Sequence, residues 1–358
     1  MSVIGVVAEA KDGERRVALD PAAVTKVRLG GHRVLVEAGA GVEAGFSDAD
    51  YAASGAEVVA TAAEAWAAEV VVKVKEPQPS EYGLLRPGLV LFCYLHLAAQ
   101  PELAAVLARS GVRAYAFETV VEGGQLPLLA PMSEIAGRTA AIVAAHFLSR
   151  TEGGSGTLVG GAAGVPPARA IVIGLGVAGT MASRGLRGLD AEVTGVDVDL
   201  GRLHAVALDG TVAATLVSSP QAVGEAVAGA DVVIGAALVP GARAPTVVTA
   251  EQVAAMPAGS VVVDLAIDQG GCVETARPTS LSSPVFVEHG VVHYCVTNVP
   301  GQYPRTASRA LSAAVAPRLM ALASNPQDPL LAGAANVIDG RVCHETVADA
   351  LGWEVPTS

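Results

Sequence analysis

The feature that most constrains this chain is the run Ile171-Val172-Ile173-Gly174-Leu175-Gly176-Val177-Ala178-Gly179. It reads as a buried β-strand entering a Gly-x-Gly-x-x-Gly turn that opens a helix. The first glycine permits the tight turn, the second lets the backbone approach a pyrophosphate, and the third lets helix and strand pack closely. The free N–H groups and positive dipole end of the helix then face the phosphates. Alone the pattern is weak, but its context agrees. Ala170–Ile173 is strand-like and Thr180–Gly188 can be a helix. A second apolar strand, Glu192–Val196, ends at Asp197, twenty-three residues after Gly174. An acid at that distance is placed to accept hydrogen bonds from an adenosine ribose. The expected cofactor-binding set is therefore Gly174, Gly176, Val177, Ala178, Gly179 and Asp197. NAD is expected over NADP, because the Asp197 carboxylate would repel a 2′-phosphate and no arginine follows at once, Arg202 being five positions on. The plainer reading is a glycine turn in an α/β protein that binds no nucleotide.

A chain of 358 residues that is 51% hydrophobic and 16% charged is long enough for two domains and is not a disordered composition. Its net charge of −12 contains no basic block, which argues against nucleic acid as a partner. Cys93, Cys272, Cys295 and Cys343 form no C-x-x-C pair and read as reduced thiols, with no metal site expected. Met1–Val7 carries no leader pattern and no apolar run reaches a spanning length. A soluble, cytoplasmic protein without membrane partners is the expectation.

The first 130 residues alternate strand and helix, which predicts a parallel sheet covered by helices and lacking the glycine fingerprint. Strands are expected at Val3–Val7, Arg33–Glu37, Glu69–Lys75, Leu89–Leu95 and Val112–Phe117, and helices at Pro21–Leu29, after Ser47/Asp48, at Ala63–Ala68 and at Pro101–Ser110. Polar residues fall at the carboxyl ends of these strands, where open α/β sheets bind ligands. Arg15 and Arg16 follow the first strand, Lys75 ends the Val70–Val74 run, His96 follows Leu95, and Glu118 ends the next strand. Arg16, Lys75 and His96 could thus converge on one small anion. Each has a plainer reading: a solvated charge for Arg15 or Arg16, a strand end for Lys75, a core histidine for His96.

Ser133 is expected as N-cap of a helix after Pro131. Thr151–Pro167 reads as irregular structure leading into the fingerprint strand. Further strands are expected at Asp231–Ala236, Ser260–Leu265 and His293–Val296, with a turn at Val239-Pro240-Gly241. Asp268 and Asn298 follow the last two strands, facing the crevice where a nicotinamide would lie. A carboxylate there can serve as acid, base or partner to a cation. The plainer readings are a turn aspartate before Gly270-Gly271 and a loop-shaping asparagine before Pro300. After Thr306 a helix is expected, with Leu311, Val315, Leu319 and Leu322 on its apolar side.

Several of these stretches together carry a resemblance: Lys11–Val17 (KDGERRV), Val74–Pro77 (VKEP), Leu95–Ala99 (LHLAA), Leu126–Gly137 (LPLLAPMSEIAG), Gly174–Gly179, Leu238–Pro245 (LVPGARAP), Asp264–Gly271 (DLAIDQGG) and Tyr294–Asn298 (YCVTN). The chain resembles the alanine dehydrogenase family over nearly its full length. That family is similar to the NAD-binding subunit of nicotinamide nucleotide transhydrogenase, which usually lacks the AIDQGG and LHLAA forms. The resemblance implies two Rossmann-like α/β domains with parallel sheets, the NAD domain (131–300) inserted into a substrate domain made of 1–130 and 301–358. It implies reversible, NAD-dependent oxidative deamination of L-alanine to pyruvate and ammonium, in a homo-oligomer that is commonly a hexamer. It assigns Arg16 to the substrate carboxylate, Lys75 to the carboxylate or carbonyl, His96 to acid–base work and Asp268 to the imine chemistry. Asn298 joins the substrate-binding set, and Ser133 and Leu238 the cofactor-binding set. The chain departs from the family at Val299, where methionine is usual, in the Gly301-Gln302-Tyr303 run, at Tyr94, where phenylalanine is common, and after Leu322, where it is shorter than many members. These departures leave open a dehydrogenase of another small L-amino acid, or an NAD-binding homologue without activity.

Overall fold

The computed structural model describes residues 1–238, 244–325 and 328–353. The expected Val239-Pro240-Gly241 turn, and with it most of the LVPGARAP stretch, lies outside the described residues. The chain divides into two compact units, the first containing residues 1–132 and those described from 301 on, the second residues 133–238 and 244–300.

In the first unit, strands β1 (Val3–Val6), β2 (Arg33–Glu37), β3 (Glu57–Val59), β4 (Val70–Val72), β5 (Val90–Cys93) and β6 (Arg113–Ala116) run parallel. In the second, β7 (Arg169–Ile173), β8 (Glu192–Asp197), β9 (Ala214–Val217), β10 (Val232–Gly235) and β11 (Val261–Asp264) are parallel, followed by β12 (Val285–Glu288) and β13 (Val291–Tyr294). The chain then returns to the first unit through the helix Pro304–Ser324 and adds β14 (Ala335–Ile338) and β15 (Arg341–Val342). The two sheet orders are β15-β14-β6-β5-β4-β1-β2-β3 and β12-β13-β11-β10-β7-β8-β9.

The sheets are largely rather than wholly parallel. β12 is antiparallel to β13, and β14 is antiparallel to both β6 and β15. The reversals lie toward the sheet edges: β12–β13 and β14–β15 are short hairpins, which need no long crossover, while β14 meets β6 only after the chain has returned from the second unit. The central strands are all-apolar runs such as Val70-Val71-Val72 and Val261-Val262-Val263, buried on both faces.

Local chemistry explains most boundaries. Asp20 caps the helix Pro21–Leu29 by accepting from Ala23 N–H, and Pro21 occupies its first position. Ser47 and Thr61 form capping boxes with Asp50 and Glu64. Strand ends come earlier than expected. β4 stops at Val72, and just beyond it the N–H groups of Val74 and Lys75 turn to the Glu9 carboxylate, so Lys75 lies in the following loop. Ser133 is not an N-cap. The helix runs Ala130–Phe147, with Pro131 in its first turn, where the missing N–H leaves no intrahelical bond unmade. The return helix likewise starts before Thr306, on Pro304, and its Leu311, Val315, Leu319 and Leu322 are all buried.

Candidate active site

In the first sheet the order β6-β5-β4-β1 sets four parallel strands side by side, so the loops leaving their carboxyl ends are neighbours. Those loops carry Glu118, His96, Lys75 and Arg16 in that order. The three residues expected to converge on an anion are thus placed in one row within one unit. Contacts link them. The Tyr94 ring stacks on the His96 ring, centroids 5.8 Å apart and planes 7° apart. Tyr94 is within electrostatic reach of Arg16. Glu9 accepts from the backbone N–H of Val74 (2.5 Å) and of Lys75 (3.2 Å), and also lies within reach of Arg16.

Arg16 is 3% exposed and so is not the solvated charge of its plainer reading. Glu14 engages it by two bonds, from Nε at 2.7 Å and Nη2 at 2.5 Å, and also accepts from the Arg15 and Arg16 N–H groups. Burial opposes the guanidinium charge, but Glu14 outweighs it and raises the Arg16 pKa. One edge of the fork is therefore occupied by Glu14, and Nη1 lies 3.1 Å from the Met132 sulfur. Lys75 is buried at 7% exposure. Arg15, in contrast, is an exposed partner of Glu43.

His96 is half-buried and adopts the left-handed region, φ 49° and ψ 37°. That conformation is uncommon for a residue other than glycine and persists only where surroundings fix it. Glu118 does so. Its carboxylate accepts from His96 N–H at 2.6 Å and Leu95 N–H at 3.2 Å. The Tyr94 hydroxyl donates to the Leu128 carbonyl at 2.6 Å, so it is satisfied inside the protein. Burial and the nearby carboxylates of Glu118 and Glu14, against the opposing pull of Arg16, keep its pKa high.

In the second sheet, β7 is the point where the strand order reverses, with β8 on one side and β10 on the other. Open sheets bind ligands at such a switch point. Gly174 has φ 88°, and a Cβ there would meet the Ala236 carbonyl. A Cβ at Gly179 would overlap the Gly174 carbonyl oxygen, so only glycine lets the helix Val177–Gly188 approach its strand. Gly176 is that helix's N-cap, has no capping side chain, and its missing Cβ faces open space. Val177 and Ala178 occupy the first turn. The geometry is a cradle of backbone N–H groups open to a phosphate.

Asp197 is the last residue of β8 and 5% exposed. Its carboxylate accepts from Leu175 N–H at 2.6 Å and from Asp199 N–H at 2.9 Å, tying the fingerprint turn to the neighbouring strand. Arg202 lies 3.6 Å from Asp197. Separation in sequence does not keep this arginine away, since the helix Leu200–Leu208 turns it back over the strand end. Leu238, 41% exposed, follows β10, and Ser133 is half-buried in the fourth position of its helix.

Asp268 sits exposed on a single 3₁₀ turn, Ile267–Gln269, after β11. Asn298, left-handed at φ 58°, follows β13, and its N–H points to Asp268 at 3.4 Å. Asp264, at the end of β11, accepts from the N–H groups of Ala266, Cys272 and Val273 and so closes the loop that carries Asp268. Burial raises the Asp264 pKa while those three bonds oppose it.

The chain also matches known proteins over its length. Residues 5–136 match the N-terminal domain model, and 140–345 the C-terminal domain model, of alanine dehydrogenase/PNT. The chain belongs to the alanine dehydrogenase/PNT family. It is 48% identical to a protein named alanine dehydrogenase from Bacillus subtilis (strain 168), covering 98% of this chain and 95% of that one. It is 45% identical to the Mycobacterium tuberculosis (strain H37Rv) protein of the same name, over 98% and 96%. A solved L-alanine dehydrogenase superposes with a TM-score of 0.92 at 46% identity, covering 98% of this chain and 99% of that one. A transhydrogenase from Sinorhizobium meliloti gives 0.83 at 31% identity, over 96% and 99%.

Reasoning from the sequence passes over Glu9, Glu14 and Asp264 and leaves Glu118 without a role. Each is an acid in or beside a strand-end loop, and that placement was the available signal. Among the described residues there is no cluster of side chains able to hold a metal ion and no helix long and apolar enough to cross a membrane. All four cysteines are free thiols.

Proposed function

We propose that this chain is an NAD-dependent L-alanine dehydrogenase, converting L-alanine to pyruvate and ammonium reversibly. The observation that carries the reading is the row of adjacent strand-end loops bearing Arg16, Lys75 and His96, in a chain of this family. The substrate domain comprises 1–130 and 301–358, and the cofactor domain 131–300.

The second unit fits a dinucleotide on its own geometry: an uncapped helix start, a side-chain-free approach at Gly176 and an acid ending β8. Gly174, Gly176, Val177, Ala178 and Gly179 hold the pyrophosphate and Asp197 the ribose, with Ser133 and Leu238 as further contacts. NAD, when bound, supplies the acceptor for the hydride that leaves the substrate Cα. Arg16 and Lys75 bind the substrate carboxylate and fix the direction in which Cα–H points. Loss of that hydride and of one proton from the substrate ammonium leaves an iminium. His96 takes a proton from the water that adds to the iminium carbon and returns it to the nitrogen of the resulting carbinolamine; as the C–N bond breaks, the carbinolamine hydroxyl proton passes to the departing nitrogen, giving pyruvate and ammonium. Asp268 stabilises the cationic nitrogen and Asn298 orients the substrate.

A second reading, another small L-amino acid as substrate, draws on Val299 and Tyr303. Val299 packs in the second unit's core and Tyr303 is 39% exposed at the start of the return helix. A homo-oligomer, a hexamer by the resemblance, is part of the proposal. Leu158, Val165 and Leu189 are exposed apolar residues on neighbouring turns that a second copy would cover. NADH formation across a panel of L-amino acids, and the reverse reaction with ammonium and pyruvate, glyoxylate, 2-oxobutyrate or hydroxypyruvate, tests the substrate. Pyruvate outside the best acceptors sinks the alanine assignment. A higher kcat/KM with NADP than with NAD sinks the cofactor assignment, and light scattering reads the oligomer.

A further inference from the structure

We infer that Glu9 is a positioning residue for the carboxylate-binding end of this site: it holds the backbone of the loop that presents Lys75, and its charge governs how firmly that loop is held. The inference rests on the function proposed above and deepens it.

The geometry is a buried three-charge cluster. Lys73 is fully buried. Its ammonium is 2.8 and 2.7 Å from the two oxygens of Glu81 and 3.6 Å from Glu9, whose side chain is 2% exposed. Glu81 also accepts from Gln78 N–H at 2.7 Å. One ammonium facing two carboxylates leaves one negative charge in excess, and Glu81 takes the near position. The excess falls on Glu9, whose two oxygens accept from Val74 N–H and Lys75 N–H. The other groups that bear on it are Glu14 and Arg16, paired with each other in the loop after β1, and the Cys93 thiol at the end of β5.

Burial lifts the Glu9 carboxyl from 4.5 to about 7, against the pull of Lys73 and of the two N–H groups, with Glu14 adding to the rise. Above that value Glu9 is acceptor-only and serves both N–H groups. Below it, the carboxyl is neutral, one oxygen carries an O–H, and the two bonds from backbone N–H lose their charge assistance. The Lys75 loop is then held less firmly. The stability term has the opposite sign. A raised carboxyl favours the folded state fully below its unfolded value, and that contribution is lost as pH rises through about 7. Anchoring of the loop is therefore gained over the same interval in which this part of the stability is given up.

The test uses the full chain, with NADH and ammonium saturating, and measures kcat and KM for pyruvate from about pH 6 to about pH 9. The expected wild-type KM rises as pH falls through about 7. Glu9→Gln should raise KM by about 5–20-fold at high pH with kcat within about threefold, and abolish the inflection. Glu81→Gln leaves Lys73 to Glu9 alone and should move the inflection to lower pH. Persistence of the inflection in Glu9→Gln, or a fall in kcat with KM unchanged, overturns the proposal. If Glu9→Gln does not fold, an unmoved inflection in Glu81→Gln overturns it. A wild-type enzyme that prefers another 2-oxo acid overturns the alanine assignment alone, and the same profile is then read with that acid. A protein that reduces none overturns the proposed function, and the role written here for Glu9 falls with it.

Discussion

The strand-end loops of the two sheets are shaped by different means. In the second unit the turn after β7 is made by glycine, with Gly174 at φ 88° and Gly179 lying against it without a Cβ between them. In the first unit the loop after β5 places a histidine in the left-handed region and fixes it with the Glu118 carboxylate, while Glu14 and Glu9 do comparable service for Arg16 and for the Lys75 loop. The difference follows from what each loop must present. A phosphate cradle presents backbone N–H groups, so removing side chains is the solution. The row proposed for acid–base work and carboxylate binding presents side chains, so the backbone must be held from behind by acceptors. The second unit uses both means, since Asp197 and Asp264 tie down loops that also contain glycines.

The comparison can be strained experimentally. The largest effect is expected from His96→Ala, which should cut kcat by on the order of 10²–10⁴ with the circular dichroism spectrum unchanged. Near wild-type turnover would return His96 to a packing role. Gly179→Ala forces a methyl against the Gly174 carbonyl. It should cost about 2–4 kcal/mol in denaturant unfolding and weaken NAD binding by more than about tenfold, read by fluorescence titration. Unchanged NAD affinity would mean the close helix approach is dispensable. Glu118→Ala removes the anchor but not the histidine. Here kcat should fall by about 10–100-fold while the Kd for NAD stays put, and Glu118→Gln, which keeps an acceptor oxygen, should recover part of the loss. A loss below about twofold would break the claim that carboxylates hold the first unit's loops. The smallest effect is expected from Tyr94→Phe, which removes a satisfied bond to Leu128. About 1 kcal/mol of stability should go, with kcat/KM within about threefold.

The glycine-built half was open to sequence reasoning because its signal is local. Glycine spacing, an apolar run before it and an acid after the next strand are all pattern features, and β7 and β8 lie within a residue of their expected bounds. The row Arg16, Lys75, His96 was also accessible, since strand-end position is itself a pattern. The carboxylate anchors were not. Glu9 and Lys75 are 66 positions apart, and Glu118 and His96 are 22 apart, so no window contains both partners. Strand ends were overestimated for a related reason. Glu69–Lys75 keeps an apolar rhythm, but the distant Glu9 takes the N–H groups of Val74 and Lys75 beyond the end of β4. The antiparallel edges β12, β14 and β15 are two to four residues long and only partly buried, too short for a periodicity to register.

The return of the chain to its first unit has a consequence for synthesis. That unit's sheet is not complete until residues 335–342 exist, and the loop bearing Arg16 is tied by Val17 and Asp20 N–H groups to Ser308 and Ser312 of the return helix. The unit in the middle of the chain has every one of its strands by residue 294. As the polypeptide leaves the ribosome, the second unit can therefore close first, while the sheet of the first unit still waits for its edge. Chains stopped after Pro300 should show a protease-resistant nucleotide-binding half and a digestible remainder, and the reverse pattern would contradict this order. Birth order and folding order would run opposite ways in this protein, with the sheet that carries Arg16, Lys75 and His96 the last to be completed.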